Sequence, residues 1–475
     1  MDRRTFLKVS AGTAGVATLA GPFQGVLAHA AGATGPALDL GELRPVPDGN
    51  GGVLRLALPL GYAYTTISAA GDMMSDGVAT PAFQDGMAAF RGPRGSVRVV
   101  RNHEVNGDGP PIGDGTKAYD ANTVGGATTF QVSGHERKLD GHWVSLNGTT
   151  FNCAGGPTPW GTWMSVEETV NGPDVGVDFA GQGGAAFAQK HGYMFEVDSR
   201  WGPGEYRTAT PIRNIGRLPH EAAAFDPWTG FVYQTEDQFL FPAGIYRYRP
   251  PRHPLLVRRI LDGGVLEMLR IRGATSPTVL GGPVPPGSQF EIDWVRIPEP
   301  DFDGGGRSND DAIRTVSLQG FAQNAAMFAR PEGLWYHAGA MFFSCTSGGG
   351  DISVPGPLGQ YGTGNGQIWR LDLHRRRLTL LFQSSGPAEL DLPDNLTVTP
   401  RGSVVICEDG GDGNFIRILT RHGHLVNFAQ NITDRPNDEF AGVTISPDNR
   451  TMFVNIQSAF GRTFAIWKEC GGLGF

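Results

Sequence analysis

The chain has little charge and few cysteines for its length. Only 18% of its 475 residues are charged, and only four are cysteines. Four cysteines in so long a chain are too few for a disulfide scaffold, although an even number permits disulfides in an oxidising compartment. The formal net charge of −8 excludes the basic surface that binding to phosphate backbones requires, so nucleic acid is not an expected partner.

Long hydrophobic runs are missing after the N-terminal segment, which excludes stable insertion in a membrane. The N-terminal segment has the layout of an export signal. Arg3 and Arg4 precede a weakly apolar run over 9–20, and Ala-His-Ala at 28–30 fits a signal-peptide cleavage site. We predict a twin-arginine signal over 1–30, export through the twin-arginine translocase, and a periplasmic or extracellular protein. Residues 31–475 are predicted to form a single domain.

Glycine and proline are abundant, with 70 and 34 residues, and 40% of the chain is hydrophobic. This composition indicates a packed protein of many turns and short strands. Five runs resemble one another, each β-branched or aromatic in the middle and polar at its end. The five runs are Trp160–Glu168, Thr229–Glu236, Gly339–Ser347, Gly402–Asp409 and Arg450–Gln457.

Another strand follows each run, and strands repeated in this way predict an all-β fold, a β-propeller. The spacing of the repeats leaves loop and short-helix insertions. The largest insertion is predicted over about 255–325, with a short helix near 310–325.

A distinctive residue precedes most of these runs at a fixed distance. Cys153, Glu221, Glu332 and Asp394 each lie fifteen positions before the last residue of a run. The fifth run has Gly442 there, with Glu439 close by, and a looser first copy extends from Asp85 to Glu104. If each run is the strand of its blade that lines the central channel, residues at this one position converge on the channel axis.

Such a ring of carboxylates and one thiol either holds protons or binds cations. Carboxylate oxygens suit calcium, whereas a thiolate among them suits a softer transition metal such as iron. Further carboxylates at the ends of the runs are predicted to lie near the ring: Glu168, Glu236, Glu408 and Asp409. The pattern therefore predicts a mixed metal centre.

Several blocks of the sequence resemble the secreted alkaline phosphatases of the PhoX type. The longest block covers 152–163, reads NCAGGPTPWGTW, and is followed by Glu167 and Glu168. The matching blocks extend from about residue 60 to residue 470. The shorter blocks are 101–104, 219–221, 330–333, 407–410, 440–442 and 455–457.

The resemblance implies a six-bladed propeller with a di-iron and calcium cluster at the mouth of the channel. It implies Cys153, Glu168, Glu221 and Glu332 as metal ligands, with Glu408 and Asp409 as calcium ligands. The repeat register adds Glu104 and Asp394 to the predicted ligands. The resemblance also implies that Arg330 faces the substrate, and we predict Arg330 and Glu332 as the catalytic residues.

These features predict an exported, monomeric phosphatase that hydrolyses small phosphate monoesters, because cations and an arginine neutralise the charge of the ester. The sequence is also compatible with two alternatives. One is a calcium-dependent propeller lactonase or phosphotriesterase, which needs no thiolate. The other is a binding propeller without catalytic activity whose metals are structural.

Four further residues have predicted structural roles. His103 and His220 precede glutamates of the ring, so strand alternation points them away from it. Cys345 and Cys407 share one repeat position in neighbouring blades. They are predicted to be packed core residues, with a disulfide as the alternative.

Overall fold

The computed structural model describes residues 38–411 and 413–475, so the predicted signal lies outside the described residues. Short β-strands dominate this part of the chain. The strands of the first half are β1 (Arg44–Pro47), β2 (Leu54–Leu58), β3 (Tyr62–Ala69), β4 (Gln84–Arg91), β5 (Val97–His103), β6 (Gly125–Val132), β7 (Leu139–Thr149), β8 (Asn152–Pro157), β9 (Thr162–Glu167), β10 (Met194–Asp198), β11 (His220–Phe225), β12 (Val232–Glu236) and β13 (Ile245–Arg249).

The second half continues with strands and contains the described α-helices, which are short. The strands are β14 (Val265–Ile271), β15 (Gln289–Arg296), β16 (Pro331–His337), β17 (Ala340–Cys345), β18 (Gln367–Asp372), β19 (Arg377–Gln383), β20 (Pro393–Val398), β21 (Val404–Glu408), β22 (Phe415–Leu419), β23 (Leu425–Asn431), β24 (Glu439–Ile445), β25 (Thr451–Gln457) and β26 (Arg462–Lys468). The helices are α1 (Pro254–Val257), α2 (Asn309–Ala312) and α3 (Thr315–Phe321). Helices α2 and α3 confirm the helix predicted near 310–325. No helix of the described segments has the length and hydrophobicity needed to cross a membrane.

Within the described residues the strands form five sheets built from antiparallel meanders. The first meander is β4–β7, the second β8–β10, the third β11–β14, the fourth β16–β19 and the fifth β20–β23. The sixth is β24–β26, completed by β3. Strand β15 pairs with both β14 and β19 and so joins the third and fourth meanders into one nine-stranded sheet.

The first strand of each meander packs against the first strand of the next. These inner strands are β4, β8, β11, β16, β20 and β24, and the last of them contacts β4 again. The inner strands lie so close together that two positions have no room for a Cβ atom and are occupied by glycine. A Cβ at Gly86 would lie 2.3 Å from the Ala154 Cα, and one at Gly442 would lie 2.2 Å from the Asp85 carbonyl oxygen. The inner strands thus surround one axis, as in a propeller.

Segments from both ends of the described chain close the ring. Strand β3 pairs with β26 along its length, and β2 adds to the outer edge of the fifth meander through β23. The Tyr62 hydroxyl donates a 2.5 Å hydrogen bond to the Leu473 carbonyl. Pairing an early strand with the last strand completes the sixth meander as a four-stranded sheet.

The predicted repeats correspond to strands of the structure, but these are not the strands that line the central axis. The five runs contain the second strands β9, β12, β17, β21 and β25 and not the inner strands. The residues that precede the runs therefore lie within the inner strands themselves. The observed architecture is an all-β, propeller-like fold. The segment predicted as an insertion is partly sheet, because β14 and β15 lie in it.

The hydrophobic core lies between neighbouring meanders. Phe130 of the first meander packs edge-to-face on Phe453 of the sixth at 5.9 Å between ring centroids. Tyr64 of β3 packs on Phe464 of β26 in the same way at 5.7 Å. Trp163 and Trp369 are among the largest fully buried side chains. Such packing fixes each sheet relative to the next, and so fixes the strand ends that carry the site.

Candidate metal centre

The second residue of five inner strands has a side chain that can bind a metal. In each of these strands the pairing register shifts across that residue, which marks a β-bulge. A bulge adds one unpaired residue and redirects its side chain. The five residues are Asp85, Cys153, Glu221, Glu332 and Asp394.

The residue directly after the second strand is held by one repeated backbone hydrogen bond in five meanders. Its N–H donates to the carbonyl of the residue directly before the inner strand, at 2.8 to 3.1 Å. Because the start of each inner strand pairs with the end of the second strand, this residue lies at the same end of the sheet as the bulge. The five residues are Glu104, Glu168, Asp237, Thr346 and Asp409.

Nine side chains from these positions and from the start of β24 form what we call the acidic cluster. They make four overlapping triads, and within each triad the candidate ligand atoms lie within 4.8 Å of one another. All nine are buried except Asp409, which is half-buried. The triads are Asp85, Glu104 and Cys153; Cys153, Glu168 and Glu221; Glu221, Glu332 and Asp394; and Asp394, Asp409 and Glu439.

The acidic cluster brings together seven of the eight predicted ligands. These are Glu104, Cys153, Glu168, Glu221, Glu332, Asp394 and Asp409. Sequence reasoning missed Asp85 and Glu439 as ligands, although both stand at or near the start of a repeat. The signal that could have found them is the position at the beginning of an inner strand.

Burial and mutual repulsion strongly disfavour negative charge in this cluster. Burial, followed by the neighbouring Glu332 and Asp394, raises the pKa of Glu221 well above its ordinary value. Burial and the nearby Glu104 and Glu221 likewise raise the pKa of the Cys153 thiol. Carboxylates packed this closely carry their charge only when cations compensate it.

The donor set fits metal ions. The Glu221 Oε1 atom is buried and has no hydrogen-bond partner among the described residues. This oxygen is therefore available to bind a cation. The Cys153 Sγ lies 3.2 Å from the Glu168 Oε2, within the same triad as Glu221. Eight carboxylates and one thiol combine the ligands of calcium with a ligand of a softer metal.

Glu408 is not part of the acidic cluster, so its role as a calcium ligand stays a prediction that the geometry does not support. Its Oε1 accepts hydrogen bonds from the Asp391 N–H and the Arg417 Nε, and its Oε2 accepts one from the Phe415 N–H. Strand alternation explains the difference, because Glu408 ends β21 whereas the neighbouring Asp409 follows it. The carboxylate of Glu408 is used within the fifth meander.

Two further glutamates at the same repeat position behave like Glu408. The Glu167 Oε2 accepts from the Gly192 N–H, and the Glu236 Oε2 accepts from the Gly244 N–H. Each bond ties the end of a second strand to the start of the third strand. We call Glu167, Glu236 and Glu408 the structural glutamates. Glu236, which was expected near the ring, is therefore also engaged elsewhere.

Arg330 directly precedes β16 and reaches the acidic cluster. Its Nη2 lies 2.6 Å from the Glu332 Oε1, and its Nε and Nη2 donate to the carboxylate of Asp237 at 2.9 to 3.2 Å. Burial opposes the charge of the guanidinium, but Asp237 and Glu332 hold the pKa of Arg330 above its ordinary value. The cluster therefore has a fixed cation beside it.

The two histidines point away from the cluster, as predicted. The His103 Nε2 lies 2.8 Å from the Thr128 Oγ1, and the His220 Nε2 lies 2.9 Å from the Gly216 carbonyl oxygen. Burial lowers the pKa of both rings. They are neutral packing residues.

The cysteines outside the cluster are free thiols. Cys345 and Cys407 are fully buried, each within a different hydrophobic cluster of the core. Their role as packed core residues is confirmed, and the alternative disulfide is absent.

Taken together, the fold and the site define a propeller-like protein with a buried acidic centre and an adjoining arginine. The family profile described as alkaline phosphatase PhoX matches residues 116–459. The chain therefore belongs to the alkaline phosphatase PhoX family, and it is an enzyme of the phosphatase class. A sequence search of curated proteins found no match.

Comparison with solved structures supports the fold. Pseudomonas fluorescens PhoX in complex with vanadate, a transition state analogue, is 19% identical with a TM-score of 0.63, covering 92% of this chain and 100% of that one. At this identity the likeness shows the fold alone. A Bacteroides thetaiotaomicron protein of unknown function (10% identity, TM-score 0.42, 86% and 76% covered) and a putative gluconolactonase (12%, 0.38, 91% and 99%) are too distant to carry an argument.

Proposed function

We propose that this protein is an exported, metal-dependent phosphatase that hydrolyses phosphate monoesters at an iron and calcium cluster in the propeller channel. The observation that carries the proposal is the acidic cluster itself, with its one thiol and the neighbouring Arg330. The alternative, a calcium-dependent lactonase, needs no thiol, whereas the buried Cys153 belongs to two triads whose other members are carboxylates.

The resemblance to the family, together with the triads, supports an assignment of residues to the two metals. Cys153, Glu168, Glu221 and Glu332 would hold the iron pair, and Asp409 would hold calcium. The other donors of the acidic cluster are Asp85, Glu104, Asp394 and Glu439. Bound cations of this kind neutralise the charge of a phosphate and lower the pKa of a bound water.

Arg330 is the protein group that would bind the ester. An arginine donates several hydrogen bonds in a fixed plane and matches the oxygens of a phosphate dianion. Glu332 counts with Arg330 as a catalytic residue, because its carboxylate lies beside the guanidinium and belongs to the triad with Glu221 and Asp394. Both are buried, so binding there removes the ester from water.

We count six blades, because the nine-stranded sheet divides at β15 into two four-stranded meanders. The domain is proposed to act as a monomer on a small phosphate ester. Export is proposed to use the signal over 1–30 and the twin-arginine translocase, delivering the protein to the periplasm or the medium. Replacing both Arg3 and Arg4 with Lys should leave the enzyme in the cytoplasm. Continued export of that variant would contradict the proposed route.

The activity is tested with purified protein that contains iron and calcium by elemental analysis. It should hydrolyse 4-nitrophenyl phosphate at alkaline pH. Bis(4-nitrophenyl) phosphate and a simple lactone serve as control substrates and should react much more slowly. Absence of monoester hydrolysis with iron bound would contradict the proposal. Unchanged activity of Cys153→Ser would favour the calcium-only alternative.

A further inference from the structure

We propose that Asp237 is a positioning residue that holds the guanidinium of Arg330 in the orientation needed to bind the phosphate group. The inference rests on the proposed function, in which Arg330 binds the ester. It starts from two departures from the repeat, one in the third meander and one in the fourth.

The first departure is Arg330 itself. It lies directly before its inner strand with φ +50°, and three other meanders have a residue with φ near +50° at the same place: Phe83, Phe151 and Leu392. Those three residues are apolar, whereas the fourth meander has an arginine. The Thr346 N–H donates to the Arg330 carbonyl at 2.8 Å, so the backbone is fixed like that of the other repeats. Only the side chain differs.

The second departure is Asp237. It follows β12 at the position that supplies Glu104, Glu168 and Asp409 to the acidic cluster in other meanders. Asp237 belongs to none of the triads found among the described residues. Its carboxylate is instead directed to Arg330 of the next meander. The repeat position that elsewhere serves the cluster thus serves the arginine here.

The contact between the two residues fixes one edge of the guanidinium. The Arg330 Nε and Nη2 donate to the two oxygens of Asp237, whose side chain is 3% exposed. The Phe239 ring lies 5.1 Å from the guanidinium carbon and restricts its tilt. Among the described residues, the hydrogen bonds of the Arg330 guanidinium use Nε and Nη2, and none uses Nη1. A guanidinium that Asp237 holds through Nε and Nη2 can therefore donate the N–H groups of Nη1 to a ligand.

Loss of this contact would change ligand binding more than folding. Without Asp237 the guanidinium keeps its contact with Glu332 but is no longer held at Nε, so it samples other rotamers, and ordering it again opposes binding of the ester. Outer partners that orient a functional group typically contribute about 10-fold to 100-fold. Because Arg330 contacts the phosphate before and during reaction, the effect should fall mainly on KM.

The test compares three variants of the full-length enzyme. Asp237→Asn removes the charge at constant shape, and Asp237→Glu keeps the charge. Asp174→Asn is the matched control, because Asp174 makes a similar two-oxygen contact with the buried Arg217 outside the acidic cluster. The measurements are kcat and KM for 4-nitrophenyl phosphate, binding of inorganic phosphate by calorimetry, and iron and calcium content.

Asp237→Asn should raise KM and weaken phosphate binding by about 10-fold or more, with a smaller change in kcat and the metal content of the wild type. Asp237→Glu should recover much of the loss, and Asp174→Asn should keep the wild-type KM. Unchanged KM and phosphate binding in Asp237→Asn would overturn the inference. Loss of metal in that variant would also overturn it and make Asp237 a ligand. If the wild type hydrolyses no monoester, the proposed function fails, and phosphate binding still decides the role of Asp237.

Discussion

Two sets of buried carboxylates lie side by side in this protein and behave in opposite ways. The structural glutamates Glu167, Glu236 and Glu408 end their second strands and accept hydrogen bonds from backbone N–H groups. The residues that follow Glu167 and Glu408, which are Glu168 and Asp409, enter the acidic cluster. One step along the chain separates a residue that ties strands together from a residue that can bind a metal.

The two sets differ in how their charge is compensated. Burial raises the pKa of Glu408 only to about 7, because Arg417 and the Asp391 N–H lower it again. In the acidic cluster the neighbours of Glu221 are other carboxylates, and they raise its pKa further. Protein donors therefore offset the burial of Glu408, whereas the charge of Glu221 requires cations.

The largest effect is expected for Glu221→Gln. This change removes a charged ligand shared by two triads, and we expect activity on 4-nitrophenyl phosphate to fall by about 1000-fold, the upper range for loss of one charge-stabilising group. Iron and calcium content should fall with it. The paired control is Glu236→Gln, which should keep its metals. Equal metal loss in both variants would contradict the distinction between the two sets.

The second prediction concerns His191, which lies between Glu167 and Asp120. Burial alone would lower the pKa of His191, but the two carboxylates outweigh it and raise the pKa to about 9. The charged ring therefore stabilises the fold fully below about pH 6.5, and this stabilisation is lost as the pH rises through 9. Relative to His191→Asn, the wild type should lose about 3 kcal/mol of unfolding free energy across this range. The check is chemical denaturation at a series of pH values. The same dependence of the unfolding free energy on pH in both proteins would contradict the raised pKa of His191.

A smaller effect is expected for Glu408→Gln. The variant keeps the shape but loses the charge that faces Arg417, so the unfolding free energy should fall by about 1–3 kcal/mol. Calcium binding should stay as in the wild type. Asp409→Asn is the matched neighbour and should show the reverse, with weakened calcium binding and little change in stability of the metal-free protein. Denaturant titration and calcium titration measure the two quantities.

The smallest effect is expected for reduction. Cys345 ends β17 at the repeat position of the structural glutamates, but it is a free thiol in an apolar environment. A reducing agent should therefore leave the unfolding temperature of the metal-free protein unchanged. A decrease in that temperature would show a disulfide that the structure lacks.

Much of the site could be predicted from the repeats, for a physical reason. Residues at the same position of each propeller repeat converge on the central axis. Cys153, Glu221, Glu332 and Asp394 could therefore be predicted from the sequence alone. Their assignment to positions before the inner strands was wrong, because the recognisable runs are the second strands. The more hydrophobic second strands give the stronger pattern, whereas the bulges shorten the pattern of the inner strands.

Other features depend on contacts that a single register does not encode. Glu408 and Asp409 are both acidic and adjacent, and only the direction of each side chain separates their roles. Asp237 was missed because its partner Arg330 lies 93 positions away and in another meander. Glu439 is the first residue of β24. The register shift of β24 comes two residues further along the strand than in the other inner strands, so Glu439 does not share the repeat position of the predicted ligands.

The central claim is that the acidic cluster holds metal ions and that these support hydrolysis of phosphate monoesters. Elemental analysis of the purified wild type beside Glu221→Gln, with activity measured on the same samples, tests it most directly. We expect iron and calcium together in an active wild type, and loss of metal and activity together in the variant. A wild type that hydrolyses the ester without bound metal, or a variant that keeps both its metals and its activity, would contradict it.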